Sequence, residues 1–309
     1  MEQRVHAVVL NYNQGDAALQ AYAELARSRG IEVDVLVVDC ASAAADREAL
    51  RGRIPPDRLL LLDHNLGYAG GMNAGIRFWL ERASEVAVLL VTPDARVPDD
   101  AVQGLWRELA SHPNAGVVGP VVVYQDQPRR IGAGVHIDEQ GRVSRLSEIS
   151  AASTYQVGSL DGCCLLLRPE AIRAVGGFDE AYFLYFEETD LCHRLRAAGW
   201  QVCVVPSVFI RHPKSHNSAA PHVYYYMARN TYLFRTRHFG VSTLRAGLDL
   251  ARSTLHLTAI AVAASVLPQH WHQARDRWRN CGLQWRGAWA GTRDHLKRRY
   301  GPQSRTAAA

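Results

Sequence analysis

Five short apolar runs rich in β-branched residues recur in the first 123 positions, at residues 5–10, 33–38, 59–62, 86–91 and 117–123, and an amphipathic segment separates each from the next. Strands of that kind want burial on both faces, and strands that alternate with helices return in the same direction. The pattern therefore demands a mostly parallel sheet covered on both sides by helices. In the first intervening segment Leu19, Tyr22, Leu25 and Ala26 fall at three- and four-residue spacing ahead of Gly30, as in a helix packed on such a sheet and stopped by glycine. After Tyr124 the pattern loosens into QDQPRRIGAGVHIDEQGRVSRLSEISAAS, which reads as hairpins and loop over a site. From Val157 an apolar strand returns in SLDGCCLLLR, followed by a short helix over 171–175 and a strand pair over 201–210; beyond His222 nearly everything reads as helix.

At 309 residues with 48% hydrophobic content, the chain can build one large core or two small ones. Its start, MEQRVHAVVLNYN, enters a strand with no basic region, apolar segment and cleavage site before it, and so predicts a cytoplasmic protein. The six cysteines form no C-x-x-C pair and match neither a zinc site nor a disulfide framework. The net charge of +5 is uneven, because residues 271–300 hold eight Lys/Arg against two Asp. Basic residues gathered there, away from the presumed cleft, argue against nucleic acid as a partner.

Ligands of an open parallel sheet bind beyond the carboxyl ends of its strands. Those ends read Asn11-Tyr12-Asn13, Asp39-Cys40-Ala41-Ser42, HNLGYAGGMNAG and Thr92-Pro93-Asp94. The glycines of NLGYAGGMNAG either bring backbone amides and a helix N-terminus to a diphosphate or permit a tight strand-to-helix turn. They match neither G-x-G-x-x-G nor a P-loop. Asp94 is either a metal ligand or the cap of a helix starting near Asp99, and His212, at the end of VPSVFIRH, is either a ligand or structural. In FLYFEETDLCHRLRAAGW, helical spacing of Leu191, Leu195 and Ala198 puts Glu187 and Glu188 at a helix N-terminus, where the dipole favours negative charge. Three acids flanked by Phe183, Tyr185 and Phe186 also suit a partly desolvated general base.

The series VVLNYN, VVDCAS, NLGYAGGMNAGI, LLVTPDA, DGCCLLLRPEAIRAVGGFDEAYFLYFEETDLCHRLRAAGW and FIRH, in that order over about residues 5–240, resembles the family-two inverting glycosyltransferases, and within them the rhamnosyltransferase-like branch. The resemblance implies a GT-A fold: an α/β domain over 1–240 with a mostly parallel Rossmann-like sheet and helices on both faces. Its nucleotide-sugar half would span 1–123 and its acceptor-binding half 124–240, with a C-terminal helical extension over 241–309. It implies that Asn11, Asp39, Asn65, Gly67, Gly71 and Asn73 line the donor nucleotide and its diphosphate, that Asp94 and His212 hold Mg²⁺ or Mn²⁺, and that Glu188 is the catalytic base. Asp161, Glu187 and Asp190 would orient the acceptor or the base. The implied reaction moves a hexose or deoxyhexose, such as rhamnose, from a dTDP-, UDP- or GDP-linked donor to a hydroxyl of a glycan, lipid-linked or natural-product acceptor.

Three positions depart from the family pattern: Cys40 stands for Asn, Thr92 for Asn or Asp, and Glu188 for the commoner Asp. Thr92 leaves a single acid in the metal element, which keeps open a non-catalytic nucleotide-sugar-binding or scaffold protein. A nucleotidyltransferase would place a glycine-rich, basic signature after the first strand, and NYNQGD is neither. Residues 255–267 are apolar but too short for a span. Trp271, Trp278, Trp285 and Trp289, interleaved with Arg275, Arg277, Arg279 and Arg286, predict a helix that either lies peripherally on the inner face of the membrane or packs against the protein's own core or a second subunit as a homodimer.

Overall fold

The computed structural model describes residues 3–213, apart from 84 and 128, together with 221–249, 252, 279–291 and 293. The parallel half of the sheet forms where the apolar runs predict it: β1 (Arg4–Asn11), β2 (Glu32–Cys40), β3 (Leu59–Leu62), β4 (Ala87–Val91) and β5 (Ala115–Tyr124). Between them lie α1 (Gly15–Leu25), α2 (Ala44–Arg51), α3 (Gly67–Leu80) and α4 (Ala101–Ser111). The looser stretch holds β6 (Ile131–Gly132), β7 (Val135–Ile137), β8 (Val143–Arg145) and β9 (Tyr155–Gln156). Then come β10 (Cys164–Leu167), α5 (Pro169–Val175), α6 (Glu187–Ala197), β11 (Gln201–His212) and α7 (Pro221–His238).

The main sheet runs β3-β2-β1-β4-β10-β5-β11-β9, with β6 on β5. β10 is antiparallel to both β4 and β5, whereas β11 is parallel to β5. The strand expected from Val157 begins only at Cys164, because Val157, Gly158 and Ser159 spend their amides on Val202 and Val135 carbonyls. The expected strand pair over 201–210 is one strand, β11, whose register on β5 slips between Val205 and Phe209. Pro206 falls within that slip; having no N–H, proline is tolerated in a strand where the ladder is broken.

Alternate residues of the buried strands feed two cores, one on each face. On one side Val5, Ala7, Val9, Leu89 and Val91 pack with Ala18 and Leu25 of α1 and Val102, Leu105 and Leu109 of α4. On the other, Val8, Leu10, Val88, Leu90, Leu165 and Leu167 pack with Met72, Ile76 and Trp79 of α3 and Leu191 and Leu195 of α6.

The chain divides into two compact units, one of Met1–His136 with Val143–Asn217, the other of Ile137–Arg142 with Ser218–Ala309. α7 therefore groups with the second unit, although it lies inside the 1–240 range expected for the first. Within the second unit Arg235 donates to the Gln140 carbonyl and to Asp249. Trp285 and Trp289 are 48% and 65% exposed. The apolar run 255–267 and Trp271, Arg275, Arg277 and Trp278 lie outside the described residues. Among those described, no helix is long and apolar enough to cross a membrane.

The glycines of α3 act as a packing joint. A Cβ on Gly71 would run into Leu10 and Cys40, and one on Gly75 into Val8 and Val38, so these residues let the helix lie close on β1 and β2. Gly67 adds a left-handed backbone, φ +69, with its Cα against the Phe183 carbonyl. Gly67→Ala is expected to lower the unfolding free energy by roughly 2–4 kcal/mol, from backbone strain and overpacking together. Urea denaturation checks this; an unchanged midpoint would show that the joint yields freely.

Candidate active site

The direction of each strand decides what reaches the carboxyl edge of the sheet. β4 delivers Thr92-Pro93-Asp94 there, and β11, parallel to β5, delivers His212 opposite Tyr124. β10 runs the other way, so its leading residues Asp161, Gly162 and Cys163 arrive at the same edge. The backbone after β4 then bridges to β11, with Arg96 and Arg211 exchanging amide–carbonyl bonds of 2.8 and 3.0 Å. That bridge sets the Asp94 carboxylate 3.3 Å from His212 Nε2.

Asp94 is not a helix cap. α4 starts at Ala101 with Asp100 in the cap position, so the carboxylate of Asp94 is free to face the imidazole. Burial would raise its pKa, but the His212 ring and Thr92 outweigh burial and hold it below the ordinary value. Thr92 Oγ1 is shielded from water and makes no well-formed hydrogen bond. A carboxylate and an imidazole turned toward each other suit a divalent cation whose remaining ligands are diphosphate oxygens and water. Among the described residues no group of three or more His, Cys, Asp or Glu gathers as a metal cage, so the protein itself would contribute this pair.

The acids of α6 sit at the other side of the site. The loop before them carries Phe183, Tyr185 and Phe186 at φ of +64, +67 and +70, a conformation that costs L-residues energy and persists only when surroundings impose it. Here the Phe183 carbonyl accepts from the amides of Tyr68 (2.7 Å) and Ala69 (3.3 Å). Glu187, 4% exposed, has an oxygen with no hydrogen-bond partner. Burial and the neighbouring Glu188 push its pKa well up. Glu188 is half-buried and raised to about 7, chiefly by burial, with its own amide at the helix start pulling back, Asp161 adding to the rise and Arg145 opposing it. Tyr68 donates to the Gly162 carbonyl at 2.5 Å, closing the wall between α3 and the start of β10.

Other expected site residues bond to their neighbours in the fold. Asn11 donates to Asp39 (2.8 Å) and Ser42 (3.1 Å), and Asp39 also accepts from the Ser42 amide and faces Arg47. Asp39 is fully buried by these partners, so it ties the ends of β1 and β2 together. Asn65 Oδ1 takes the Gly67 amide, and the next two amides of α3 go to Phe183. The helix N-terminus predicted to meet a diphosphate has therefore spent those three donors within the chain. Asn73 is likewise occupied: it donates to the Phe178 carbonyl and Glu180 and accepts from the Phe178 amide. Asp190 is buried against Arg194 at 2.7 Å, and Arg194 also binds the Val175 and Gly177 carbonyls, so this acid anchors α6 on the end of α5.

Sequence reasoning missed Tyr124 and Arg145. Tyr124 donates to Asp161 at 2.9 Å, and its ring meets His212 edge-on at 6.5 Å between centroids. Arg145 donates to both Tyr124 and Asp161. Tyr124 was findable as the last residue of a parallel strand; nothing in SRLSEIS marks Arg145.

A carboxylate–imidazole pair beside one set of strand ends and a desolvated acid beside another, on a sheet with this strand order, define a GT-A glycosyltransferase. Comparison gives the family: the model of glycosyl transferase family 2 matches residues 7–176, and the chain belongs to that family. It is 31% identical over 259 residues, 75% of this chain and 84% of the relative, to an N-acetylglucosaminyl-diphospho-decaprenol L-rhamnosyltransferase of Mycobacterium tuberculosis. A dTDP-rhamnosyl transferase, RfbF, of Shigella flexneri is 23% identical over 270 residues, 84% of this chain and 89% of the relative. Among solved structures, the mannosyltransferase PcManGT from Pyrobaculum calidifontis with GDP-Man and Mn²⁺ shares the fold at a TM-score of 0.56 and 15% identity, covering 93% of this chain and 87% of that one. GalNAc-T7 with UDP, GalNAc and Mn²⁺ does so at 0.57 and 12%, covering 97% and 58%.

A buried acid with a raised pKa makes the fold less stable as pH climbs. Glu188 prefers its proton in the folded state, so its contribution to stability is present below the ordinary value of 4.5 and is lost as pH rises through about 7. Glu188→Gln is expected to be more stable than the parent at pH 8.5 by roughly 1–3 kcal/mol and close to it at pH 4.5. Denaturant midpoints at the two pH values check this; a gain of equal size at both would assign it to packing.

Proposed function

We propose that this protein is an inverting rhamnosyltransferase that moves L-rhamnose from dTDP to a hydroxyl of a lipid-linked acceptor. The mechanism rests on Glu188, a half-buried carboxyl at a helix start whose pKa stands at about 7. The choice of sugar and acceptor rests on what the relatives' names say of those proteins, an L-rhamnosyltransferase acting on N-acetylglucosaminyl-diphospho-decaprenol and a dTDP-rhamnosyl transferase.

In this reading ionised Glu188 accepts the proton of the acceptor hydroxyl. The oxygen attacks the anomeric carbon from the face opposite the diphosphate, the bond from that carbon to the diphosphate oxygen breaks, and configuration inverts. Glu187, held neutral beside Glu188, keeps a second charge out of the pocket. A divalent ion, Mg²⁺ or Mn²⁺, held by Asp94 and His212 would neutralise charge on the leaving dTDP. Mn²⁺ in the two structural neighbours supports such an ion. Asp39, Asn11 and Ser42 would shape the nucleoside wall through their mutual bonds. The donor would be met in the cytoplasm, and the exposed Trp285 and Trp289 support a peripheral contact of the C-terminal unit with the membrane carrying the acceptor.

Thermal shift with dTDP, UDP and GDP, each with and without Mn²⁺, tests the donor site. The expected outcome is Mn²⁺-dependent stabilisation by dTDP that Asp94→Ala removes; no stabilisation by any nucleotide would overturn the reading. With dTDP-L-rhamnose and a short-chain N-acetylglucosaminyl-diphospho-prenol, kcat/KM should climb with pH through about 7 as Glu188 loses its proton. Glu188→Gln should lower kcat by about 10²–10⁴-fold while the dTDP shift is kept. Binding without turnover in the parent protein would favour a scaffold role instead.

A further inference from the structure

β8 is a three-residue strand that none of the family motifs touches, yet its last residue, Arg145, reaches the centre of the site. Its guanidinium donates through Nη1 to Asp161 Oδ1 and to the Tyr124 hydroxyl, and its Cζ lies 5.6 Å from the centre of the Tyr124 ring. Tyr124 in turn donates to Asp161 Oδ2, so both oxygens of Asp161 are engaged. The three side chains form a closed triangle. Asp161 and Tyr124 are 8% and 2% exposed, and Gly132 of β6 has no room for a Cβ because Asp161 Oδ2 and Tyr124 Oη fill that space. At one corner the Tyr124 ring abuts His212, the partner of Asp94. At another, Asp161 leads into Gly162, whose Cα faces the Glu188 side chain closely enough that an added Cβ would stand 3.5 Å from Glu188 Cβ and Cγ.

We propose that Arg145 is a positioning residue for glycosyl transfer: it fixes Tyr124 and Asp161 between His212 and Glu188, and screens the charge of Asp161 from the base. The proposal rests on the reading of Glu188 as the base. Glu188 is faced by Glu187 and Cys192 on its own helix, Asp161 before β10, Tyr68 of α3, Tyr185 of the preceding loop and Arg145 of β8. Of these groups Arg145 alone is cationic. Burial opposes its charge, but Asp161, Tyr124 and Glu188 outweigh burial and keep it protonated. Asp161 therefore faces Glu188 with its two oxygens held by Arg145 and Tyr124. Removing the guanidinium leaves Asp161 beside Glu188 without its cationic partner, which disfavours ionisation of Glu188.

The test is the pH profile of kcat/KM with dTDP-L-rhamnose and the short-chain prenyl diphosphate acceptor. In Arg145→Met the acid limb should move up by about one pH unit, with activity at pH 7 reduced about fivefold and largely regained at pH 9. Arg145→Lys, which keeps the charge, should regain most of it at pH 7. Asp161→Asn added to Arg145→Met should bring the limb back toward that of the parent, because the unscreened charge is gone. A loss of equal size at every pH that the double variant does not relieve would overturn the proposal, as would an Arg145→Met limb identical to the parent's while Glu188→Gln is inactive. If Glu188→Gln retains parental turnover, the base assignment itself falls, which separates failure of that reading from failure of the Arg145 proposal.

Discussion

One reversed strand organises the carboxyl edge of the sheet. β10 runs against β4 and β5, and so carries Asp161, Gly162 and Cys163 to the end of the sheet where its neighbours finish. Had it run with them, those residues would lie at the far edge and the site would lack its middle. Instead Thr92 donates its amide to the Cys163 carbonyl at 3.1 Å, Tyr68 closes on Gly162, and Glu188 lies over the same glycine. The parallel strands set out the ends that carry Asn11, Asp39 and Asp94, and the reversed one joins them to the acids of α6.

The frame was legible in the sequence because burial imposes composition. β3, β4 and β5 are apolar throughout and β1 and β2 in all but three residues each, and such runs between amphipathic helices call for a parallel sheet covered on both faces. The carboxyl-edge rule also pointed to Asn11, Asp39 and Asp94, and helical spacing placed Glu187 and Glu188 at the start of α6. What those residues touch was not legible. Asn73 and Asp190 look like site groups in the sequence, but the fold spends them on the Phe178 loop and on Arg194. Gly71 and Gly75 look like a phosphate cradle, but their missing side chains serve contact with β1 and β2. The pairing of Asp94 with His212, 118 positions apart, depends on the Arg96–Arg211 bridge, a tertiary fact that carries no local pattern. Arg145 sits in the least periodic part of the chain, so only the meeting of β5, β8 and the start of β10 reveals it.

The departures from the family pattern read differently once the contacts are known. Thr92 supplies a shielded hydroxyl beside Asp94 where the family usually has a second amide or acid, and the Asp94–His212 pair stays intact. Cys40 is buried against α3, its thiol 3.7 Å from the Gly67 carbonyl and its pKa pushed up to about 11, mainly by burial. It behaves as a small apolar filler beneath Gly71, where a bulkier amide would press on the helix.

The left-handed run at Phe183, Tyr185 and Phe186 is tied to α3 by two hydrogen bonds into a single carbonyl. Backbone held in that way reverts to ordinary geometry when released, so the donors at Tyr68 and Ala69 stay shielded only while the loop keeps its shape. Their deuterium uptake therefore reads the integrity of the acid-bearing loop directly. Two amides at the start of α3 act as a gauge of the loop that leads into α6, and opening of either element registers at the other.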